Sequence, residues 1–436
     1  MKNILVVGNG YDKAKGLKTS FVDFFLPIVK RYLLWLDNKH PDDELDYWVY
    51  NYKNAVITQI NKNETVDIKI EDENIFFNNT FIIILINEYF PFVNILNALI
   101  DINPQLVKES GYDKFMKQVN LSFSIRALGE DYEYLKNTVS DVSKILLSRE
   151  FNSDIFWMDI ESTIKEIVTD ELTVIPFDNI TNIDWEKFYS VIDKYKDGIN
   201  SSLIIGNGPR YLKYKSISLT DCIEGLNLFK DTFCNYLSDE VNRYNNKEKV
   251  SDNFILPPNF SHVISLNYTS IFKESLKSPK NKATNLSDCV CHVHGKLELR
   301  NIVIGTESFY FDENSREEKS ISNIPFFKFF QKVLNKTDDE YLNWINTRSP
   351  FELTFFGFSF SQNDYDFIRE LFINDEGNSY STNQGCVRKN LKKVTIYCKQ
   401  EKDQFSCLIN FAACLGKKHL SSLKKLLNFK IIDDLK

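Results

Sequence analysis

The opening stretch MKNILVVGNGYDKAKGLKTS, residues 1–20, carries the clearest fold signal in the chain. Its apolar run at residues 4–7 ends at Gly8-Asn9-Gly10. A short apolar run bounded by glycines predicts a strand that is buried in a parallel sheet. The glycines permit a sharp turn and let a ligand approach the backbone. A helix after the turn would direct its free N–H groups toward a phosphate.

The glycine pattern of this turn matches a dinucleotide-binding fingerprint only in part. The fingerprint is G-x-G-x-x-G, and Lys13 occupies the position of its third glycine. The next glycine in the chain is Gly16. Two interpretations therefore stay open at this point, a nucleotide-binding loop or a tight strand-to-helix turn without a ligand.

Composition and charge indicate a globular protein without a general attraction to nucleic acid. The 436 residues allow two or three domains, and 43% apolar with 26% charged residues is typical of a folded chain. The formal net charge of -7 does not steer the whole chain toward nucleic acid, although a local basic patch is left open.

The N-terminus and the cysteines predict a cytoplasmic protein without a metal cofactor. The chain enters its first apolar run directly, with no long apolar core and no cleavage site, so no signal peptide is expected. The 8 cysteines form no C-x-x-C pair, which argues against a four-cysteine zinc site and favours reduced thiols. The most apolar segment, residues 81–100, contains Asn87, Glu88 and Pro91, which predicts buried helices there instead of a membrane span.

Further strand signals appear in the last third of the chain, and several end at glycine or small polar residues. They lie at residues 263–266, 290–294, 302–304, 353–356 and 394–397. Spacing between about residues 21 and 250 is mostly helical. The pattern predicts an α/β fold in which the first strand and the last third share one parallel sheet. The expected domains are a sheet domain of residues 1–30 and 255–436 and a large, mostly helical insertion of residues 31–254.

Polar residues at three of these strand ends are expected to converge, because ligands gather at the carboxyl ends of parallel strands. The three segments are GNGYD at 8–12, SLNYT at 265–269 and HVHG at 292–295. With these and further stretches, the chain resembles the AbiH family of bacterial abortive-infection proteins. The further stretches are FWMDIES at 156–162, IVIGTES at 302–308, IPFFKFFQKVL at 324–334 and FFGFSFSQNDYDFI at 355–368.

The AbiH family is in turn similar to the sirtuin-like nucleotide-binding superfamily, whose members bind NAD and either deacylate lysines or hydrolyse NAD in phage defence. The resemblance implies a sirtuin-like Rossmann sheet with NAD as substrate or ligand. It also implies that Asn267 positions the ribose and a water molecule and that His294 is the general base. The resemblance also implies that Gly357 and Ser359 bind the adenine-side ribose. Further contacts to the nucleotide are expected from Gly8, Asn9, Gly10, Asp12, Thr19, Gly295 and Asp364.

Two features depart from the sirtuin pattern and argue against deacylation. The first sirtuin loop is usually Gly-Ala-Gly-x-Ser, whereas Asn9 and Asp12 replace the alanine and the serine here. The four-cysteine zinc module of sirtuin deacylases is absent from the sequence. The changed first loop also weakens the case for the binding of NAD itself.

Elementary chemistry agrees with cleavage of a nicotinamide–ribose bond by the Asn267 and His294 pair. The reaction passes through an oxocarbenium-like state, and the leaving group is already cationic, so little acid catalysis is needed. A neutral histidine can accept a proton from a ribose hydroxyl or a water near pH 7. An asparagine amide can both donate and accept hydrogen bonds. The structural alternative is that both residues only cap their turns.

The leading hypothesis is an antiphage effector that binds NAD and hydrolyses it when activated. The alternatives are a nucleotide-sensing defence protein that acts through a partner, and a metal-dependent nuclease that uses Asp159 and Glu161. Expected partners are a nucleotide ligand, a phage-derived trigger and other copies of the chain, whereas a membrane and nucleic acid are not expected. The phenylalanines at residues 326–330 predict core packing or an oligomer interface.

Overall fold

The structure is a computed structural model. It describes residues 1–39, 68–89, 203–205, 212–214, 219–246, 260–272, 289–306, 324–361, 364–374 and 386–432, with the single positions 54, 57, 58, 61, 160, 161 and 164. The chain divides into two compact units, Met1–Ser20 with Phe233–Lys436, and Phe21–Thr232. The domain boundaries expected from the sequence, near residues 30 and 255, stay predictions.

The described residues form ten strands and nine α-helices. The strands are β1 (Lys2–Val7), β2 (Leu203–Ile205), β3 (Leu212–Tyr214), β4 (His262–Ser265), β5 (Val290–His292), β6 (Phe351–Phe356), β7 (Ile373–Asn374), β8 (Cys386–Val387), β9 (Leu391–Cys398) and β10 (Leu427–Ile431). The helices are α1 (Gly10–Ala14), α2 (Phe21–Lys39), α3 (Glu73–Asn78), α4 (Thr80–Tyr89), α5 (Leu219–Asn246), α6 (Lys328–Asn335), α7 (Tyr341–Ile345), α8 (Tyr365–Phe372) and α9 (Glu401–Leu423).

The first unit is built on a six-stranded sheet with the spatial order β10-β9-β6-β1-β4-β5. Every pairing in this sheet is parallel. Ranked by their position along the chain and read from the β5 edge, the strands follow the order 3-2-1-4-5-6, which reverses between β1 and β6. The predicted α/β fold with a parallel sheet is therefore confirmed.

Strand β1 lies in the interior of the sheet and is buried on both faces, as its apolar run predicts. Leu5 is in register with Val263 of β4 on one side and with Thr354 of β6 on the other. Ile4 and Val6 belong to the core on one face of the sheet, whereas Leu5 and Val7 belong to the core on the other. This alternation follows from the two-residue period of a strand. The opening run thus anchors both hydrophobic layers.

The strand predicted at residues 302–304 is not a strand, and β10 was not predicted. The backbone of residues 302–304 is buried, but side chains satisfy much of it in place of a neighbouring strand. The Gln331 amide accepts from the Ile304 N–H at 3.2 Å and donates to the Ile304 carbonyl at 2.7 Å. Tyr268 donates its hydroxyl proton to the Val303 carbonyl at 2.9 Å. An apolar, β-branched run therefore does not require a sheet partner when polar side chains can take its place.

The second unit contains helices α2, α3 and α4 and the antiparallel β2–β3 pair. Its described core contains an aromatic cluster, in which Phe24 and Phe25 pack against Phe229 at ring-centroid distances of 5.2 and 5.7 Å. Helix α4 covers the start of the apolar segment at residues 81–100, and the rest of that segment lies outside the described residues. Among the helices that the structure describes, none combines the length and the apolar character that crossing a membrane requires.

The turn after β1 is in direct backbone contact with the turn after β6. The Gly8 N–H donates to the Phe356 carbonyl and the Gly10 N–H donates to the Gly357 carbonyl, each at 2.9 Å. A Cβ atom added to Gly8 would lie 2.5 Å from the Gly357 oxygen. One added to Gly10 would lie 2.7 Å from the Gly357 Cα. The glycines are therefore required for this close approach of two turns.

Replacing Gly357 by alanine should destabilise the fold strongly. Gly357 has a φ of 63°, and its added Cβ would lie 2.6 Å from the Gly10 carbonyl carbon and closer still to the Tyr11 nitrogen. Strain from the left-handed backbone together with this overlap predicts a loss of about 3 kcal/mol or more in the free energy of unfolding. Denaturant titration followed by circular dichroism measures it.

The matched control is Gly16→Ala, because Gly16 also has a positive φ, 80°, but no heavy atom lies within 4 Å of its added Cβ. This variant should lose only about 1 kcal/mol. Equal losses in the two variants would show that backbone conformation alone, and not the contact between the turns, sets the requirement for glycine.

Candidate functional site

The loop after β4 holds Asn267 with a fixed backbone and an unsatisfied side chain. The Asn267 N–H donates to the Ser265 hydroxyl and its carbonyl accepts from the same hydroxyl, both at 3.2 Å. The Nδ1 atom of His292, which is fully buried, lies 3.3 Å from the same carbonyl. The Asn267 side chain is also buried, yet neither its Nδ2 nor its Oδ1 atom makes a hydrogen bond. A buried amide with both polar atoms unpaired is rare and points to a missing partner.

Asp12, on α1, is buried beside this amide. The Thr269 hydroxyl donates to its Oδ2 atom at 2.5 Å, whereas its Oδ1 atom has no hydrogen-bond partner. Burial raises the pKa of Asp12 to about 6, and the Thr269 hydroxyl and the nearby Asn267 amide oppose this rise. The Asn267 amide is close enough to act on the carboxyl group but completes no hydrogen bond of good geometry with it. The Asp12 and Asn267 side chains thus have three buried polar atoms without a hydrogen-bond partner, namely Asp12 Oδ1, Asn267 Nδ2 and Asn267 Oδ1.

His294 follows β5, the strand next to β4, and its ring is buried. Burial is the largest factor that lowers its pKa well below the usual value, and the charges of Lys328 and Lys332 add to it. A hydrogen bond to the Leu266 backbone opposes the change. Because Leu266 directly precedes Asn267, this bond ties the His294 ring to the Asn267 loop. His294 is therefore an uncharged imidazole at neutral pH and can accept a proton.

Asp364, the residue before α8, lies beside His294. Its Oδ1 atom is 3.6 Å from the His294 Nε2 atom and 3.3 Å from the Lys328 Nζ atom. Its Oδ2 atom accepts from the Ser361 hydroxyl at 3.2 Å. The distance from Asp364 to His294 is too long for a hydrogen bond, whereas Asp364 and Lys328 form an ion pair. Asp364 was predicted to contact a ligand, and the structure brings it to the histidine.

The other residues predicted to bind a ligand have different surroundings. Asn9 and Thr19 bond to each other, with the Thr19 hydroxyl donating to the Asn9 Oδ1 atom at 2.6 Å. Gly295 has a φ of 85°, and an added Cβ would overlap the Asn301 carbonyl. Ser359 is exposed, and its carbonyl accepts from the Asn410 side chain at 3.2 Å. Ligand contacts by these residues stay predictions.

A cleft of about 460 Å³ adjoins the Asp12–Thr269 hydrogen bond. Its walls are the C-terminal part of α5 and the loops that follow β4 and β5. Polar side chains contribute to these walls, among them Ser238, Asn242, Asn245, Thr269, Ser270 and Arg300. The volume lies in the range of small-molecule pockets.

A sequence comparison identifies the family of the chain. Residues 4–383 match the family described as bacteriophage abortive infection AbiH. The chain belongs to the AbiH family. The match covers most of the chain and confirms the family recognised from the sequence motifs. It also gives this AbiH protein a role in defence against bacteriophage by abortive infection. No curated protein and no solved structure matches the chain.

The sequence reasoning missed Lys328 in this AbiH protein, because it treated residues 326–330 as an aromatic cluster. Phe326 and Phe327 are buried before α6 begins, but the helix itself buries Lys328 and exposes Phe329. The available signal was the four-residue spacing of Lys328 and Lys332, which puts both lysines on one side of a helix.

Of the two residues proposed for a nuclease, the structure describes only Glu161. Asp159 lies outside the described residues, and Glu161 is helical and belongs to the second unit. Within the ranges that the structure describes, no group of three or more His, Cys, Asp or Glu side chains is arranged to hold a metal ion. No observation on the described residues therefore favours the nuclease over the other hypotheses.

Replacing Asp12 by asparagine should stabilise the AbiH protein at neutral pH. The folded-state pKa of about 6 lies above the usual aspartate pKa of 3.8, so the folded state binds the proton more tightly than the unfolded state. Wild-type stability should therefore fall as the pH rises from about 4 to about 6. Asparagine can still accept from Thr269 but carries no charge, so the variant should gain about 3 kcal/mol at pH 7. Denaturant titrations across this pH range measure the difference.

The control is Asp339→Asn, which removes a carboxylate from an exposed position. It should keep the wild-type slope of stability against pH in this range. An Asp12→Asn variant that also kept that slope would contradict the assignment of the slope to Asp12.

Proposed function

We propose that this AbiH protein is an antiphage effector that binds NAD at the carboxyl edge of its sheet and hydrolyses the nicotinamide–ribose bond. The observation that carries the proposal is the Asn267 amide, which is buried beside the His294 loop with both polar atoms unpaired. Leaving such a group unpaired costs about 1–3 kcal/mol. A bound ribose, with hydroxyls that donate and accept, would satisfy both atoms.

The strand order supports a dinucleotide as the ligand. The order 3-2-1-4-5-6 is that of the Rossmann fold, in which dinucleotides bind outside the carboxyl ends of the strands where the order reverses. The turns after β1 and β6 flank the reversal, and those after β4 and β5 carry Asn267 and His294. This arrangement agrees with the sirtuin-like sheet that the sequence resemblance implies.

The described side chains fit a ribose better than they fit the phosphates. Asn267 Nδ2, Asn267 Oδ1 and Asp12 Oδ1 are the unpaired buried atoms, and they suit hydroxyl groups. The glycines of the first turn, in contrast, are explained by the contact with Gly357. The space near Thr269 that the cleft provides would hold a further part of the substrate.

The chemistry assigned to His294 is that of a general base. A water molecule attacks C1′ of the ribose, and the C1′–N bond breaks with its electron pair going to the nicotinamide ring. The water proton passes to the uncharged His294 ring, so the products are ADP-ribose, nicotinamide and a proton. Asn267 would orient the water or the ribose hydroxyls, and the ionised Asp12 would stabilise the positive charge that develops on the ribose.

The experiment is incubation of the purified protein with NAD and separation of the products by chromatography. Nicotinamide and ADP-ribose should accumulate with the wild type, and His294→Ala should lower the rate by at least about 100-fold, the usual contribution of a general base. Because the protein acts in phage defence, the same comparison belongs in bacteria, where NAD should fall after phage infection only with the wild-type gene.

Asn267→Ala provides a second test, in which activity should be lost without a loss of stability. The variant removes an unpaired buried amide, so it should be at least as stable as the wild type while losing hydrolysis. The control is His262→Ala, which changes a histidine on β4 outside the proposed site. If NAD neither binds nor is consumed, in the tube or in infected cells, the proposed function is wrong. Binding of NAD without turnover under all these conditions would instead favour the sensing hypothesis.

A further inference from the structure

Helix α6 has polar side chains on its inward face and apolar side chains on its outward face. Lys328 and Gln331 are buried, whereas Phe329 and Leu334 are 56% and 70% exposed. The burial of Gln331 has a structural explanation, because its side-chain amide makes the hydrogen bonds to the Ile304 backbone that a neighbouring strand would otherwise make. The Lys328 ammonium reaches the Asp364 carboxylate next to His294. Burial of an ammonium group is costly unless it is paired, so its place needs an explanation.

The Asp364 Oδ1 atom is shared between an ammonium group and an imidazole. It lies 3.3 Å from Lys328 Nζ and 3.6 Å from His294 Nε2. All three side chains are almost shielded from water, with exposures of 7% for Lys328, 9% for His294 and 13% for Asp364. A lone carboxylate at this distance would favour the charged imidazolium form, which has no lone pair for a proton.

We infer that Lys328 is a positioning residue for the proposed reaction. Through its ion pair with Asp364, it leaves the Nε2 lone pair of His294 free to accept a proton. The inference rests on the proposed function, in which His294 is the general base. Lys328 acts through Asp364 and His294, and no contact between Lys328 and the substrate is required.

Other charged groups near His294 also change its pKa, and the test must separate their effects from the effect of Lys328. Lys332, one turn after Lys328 on α6, also disfavours a charged His294. Its own charge is stabilised by Glu370, Asp364 and Asp366. Lys332 is therefore the matched control, since Lys332→Met removes the same charge from the same helix without breaking the ion pair with Asp364.

The test is a pH titration of the histidine rings by NMR in the intact protein. The chain contains 5 histidines, so labelling at the ring Cε1 position gives few signals, and the His294→Gln variant identifies the signal of His294. In the wild type the His294 signal should stay that of a neutral ring well below pH 6.5, because its pKa is lowered. In Lys328→Met the titration should move up by roughly one pH unit or more, the effect of an unopposed carboxylate.

Two further variants make the result specific to the shared carboxylate. Lys328→Arg keeps the positive charge and should keep the wild-type titration. Adding Asp364→Asn to Lys328→Met should bring the titration back down, because no carboxylate then faces His294. Lys332→Met should move it less than Lys328→Met does.

Hydrolysis of NAD gives an independent readout. As the pH is lowered, Lys328→Met should lose activity at a higher pH than the wild type, displaced by the same shift as its His294 signal, and it should keep activity at alkaline pH, where His294 is neutral. Asp12 titrates in the same region, so the NMR signal, and not the activity alone, assigns the change to His294.

The outcomes separate this inference from the function on which it rests. The inference is overturned if Lys328→Met folds normally and His294 titrates as in the wild type, or if Lys332→Met shifts His294 equally. It is also overturned if the added Asp364→Asn change fails to reverse the shift. If His294 shifts as expected but the wild type never consumes NAD, the charge arrangement stands and the proposed function fails.

Discussion

Strand β1 is paired on both sides by strands from much later in the chain, and the site depends on this pairing. Leu5 is in register with both Val263 and Thr354. Because the strands are parallel, the turns that follow them leave the sheet at one edge. The glycine turn, the Asn267 loop and the turn at Gly357 are therefore neighbours although they are far apart in sequence. The N–H to carbonyl bonds from Gly8 and Gly10 then fix two of these turns in direct contact.

Burying the polar and charged groups at this edge of the sheet is electrostatically unfavourable for folding. Asp12, His294 and Lys328 are all buried, and the Asn267 amide has no partner for either polar atom. Each of these groups would be better solvated in the unfolded chain, so none is explained by stability. Much of the surrounding network holds the backbone instead, as Ser265 and His292 do for Asn267. A rigid loop that presents an unsatisfied side chain is the arrangement expected of a ligand site.

Membership of the AbiH family gives this arrangement a biological setting in phage defence. In this chain the sheet unit holds Asn267, His294 and Asp364, whereas the described part of the second unit contains helices with an aromatic cluster and the β2–β3 pair. The long segment between β1 and β4 thus separates β1 in sequence from the other five strands of its sheet.

The sequence predicted the parallel sheet well because its strands are short apolar runs that end at glycine or polar residues, a pattern that local chemistry imposes. It was wrong at residues 302–304, where Gln331 and Tyr268 satisfy the backbone in place of a strand. A contact between an apolar run and distant polar side chains leaves no periodic signal. The motif residues Asn267 and His294 were identified by resemblance, since a single asparagine or histidine has no distinctive spacing.

The sequence by itself determined the fold class, the family and the residue types at the ends of the strands, because each depends on short-range patterns or on motifs. Only the tertiary structure decided which side chains meet and how they are charged. In the sequence, Lys328 is one residue of an aromatic helical segment. In the structure, the orientation of α6 buries it beside Asp364 and His294. Burial and partner charges set the state of such groups, and both arise only when distant segments pack together.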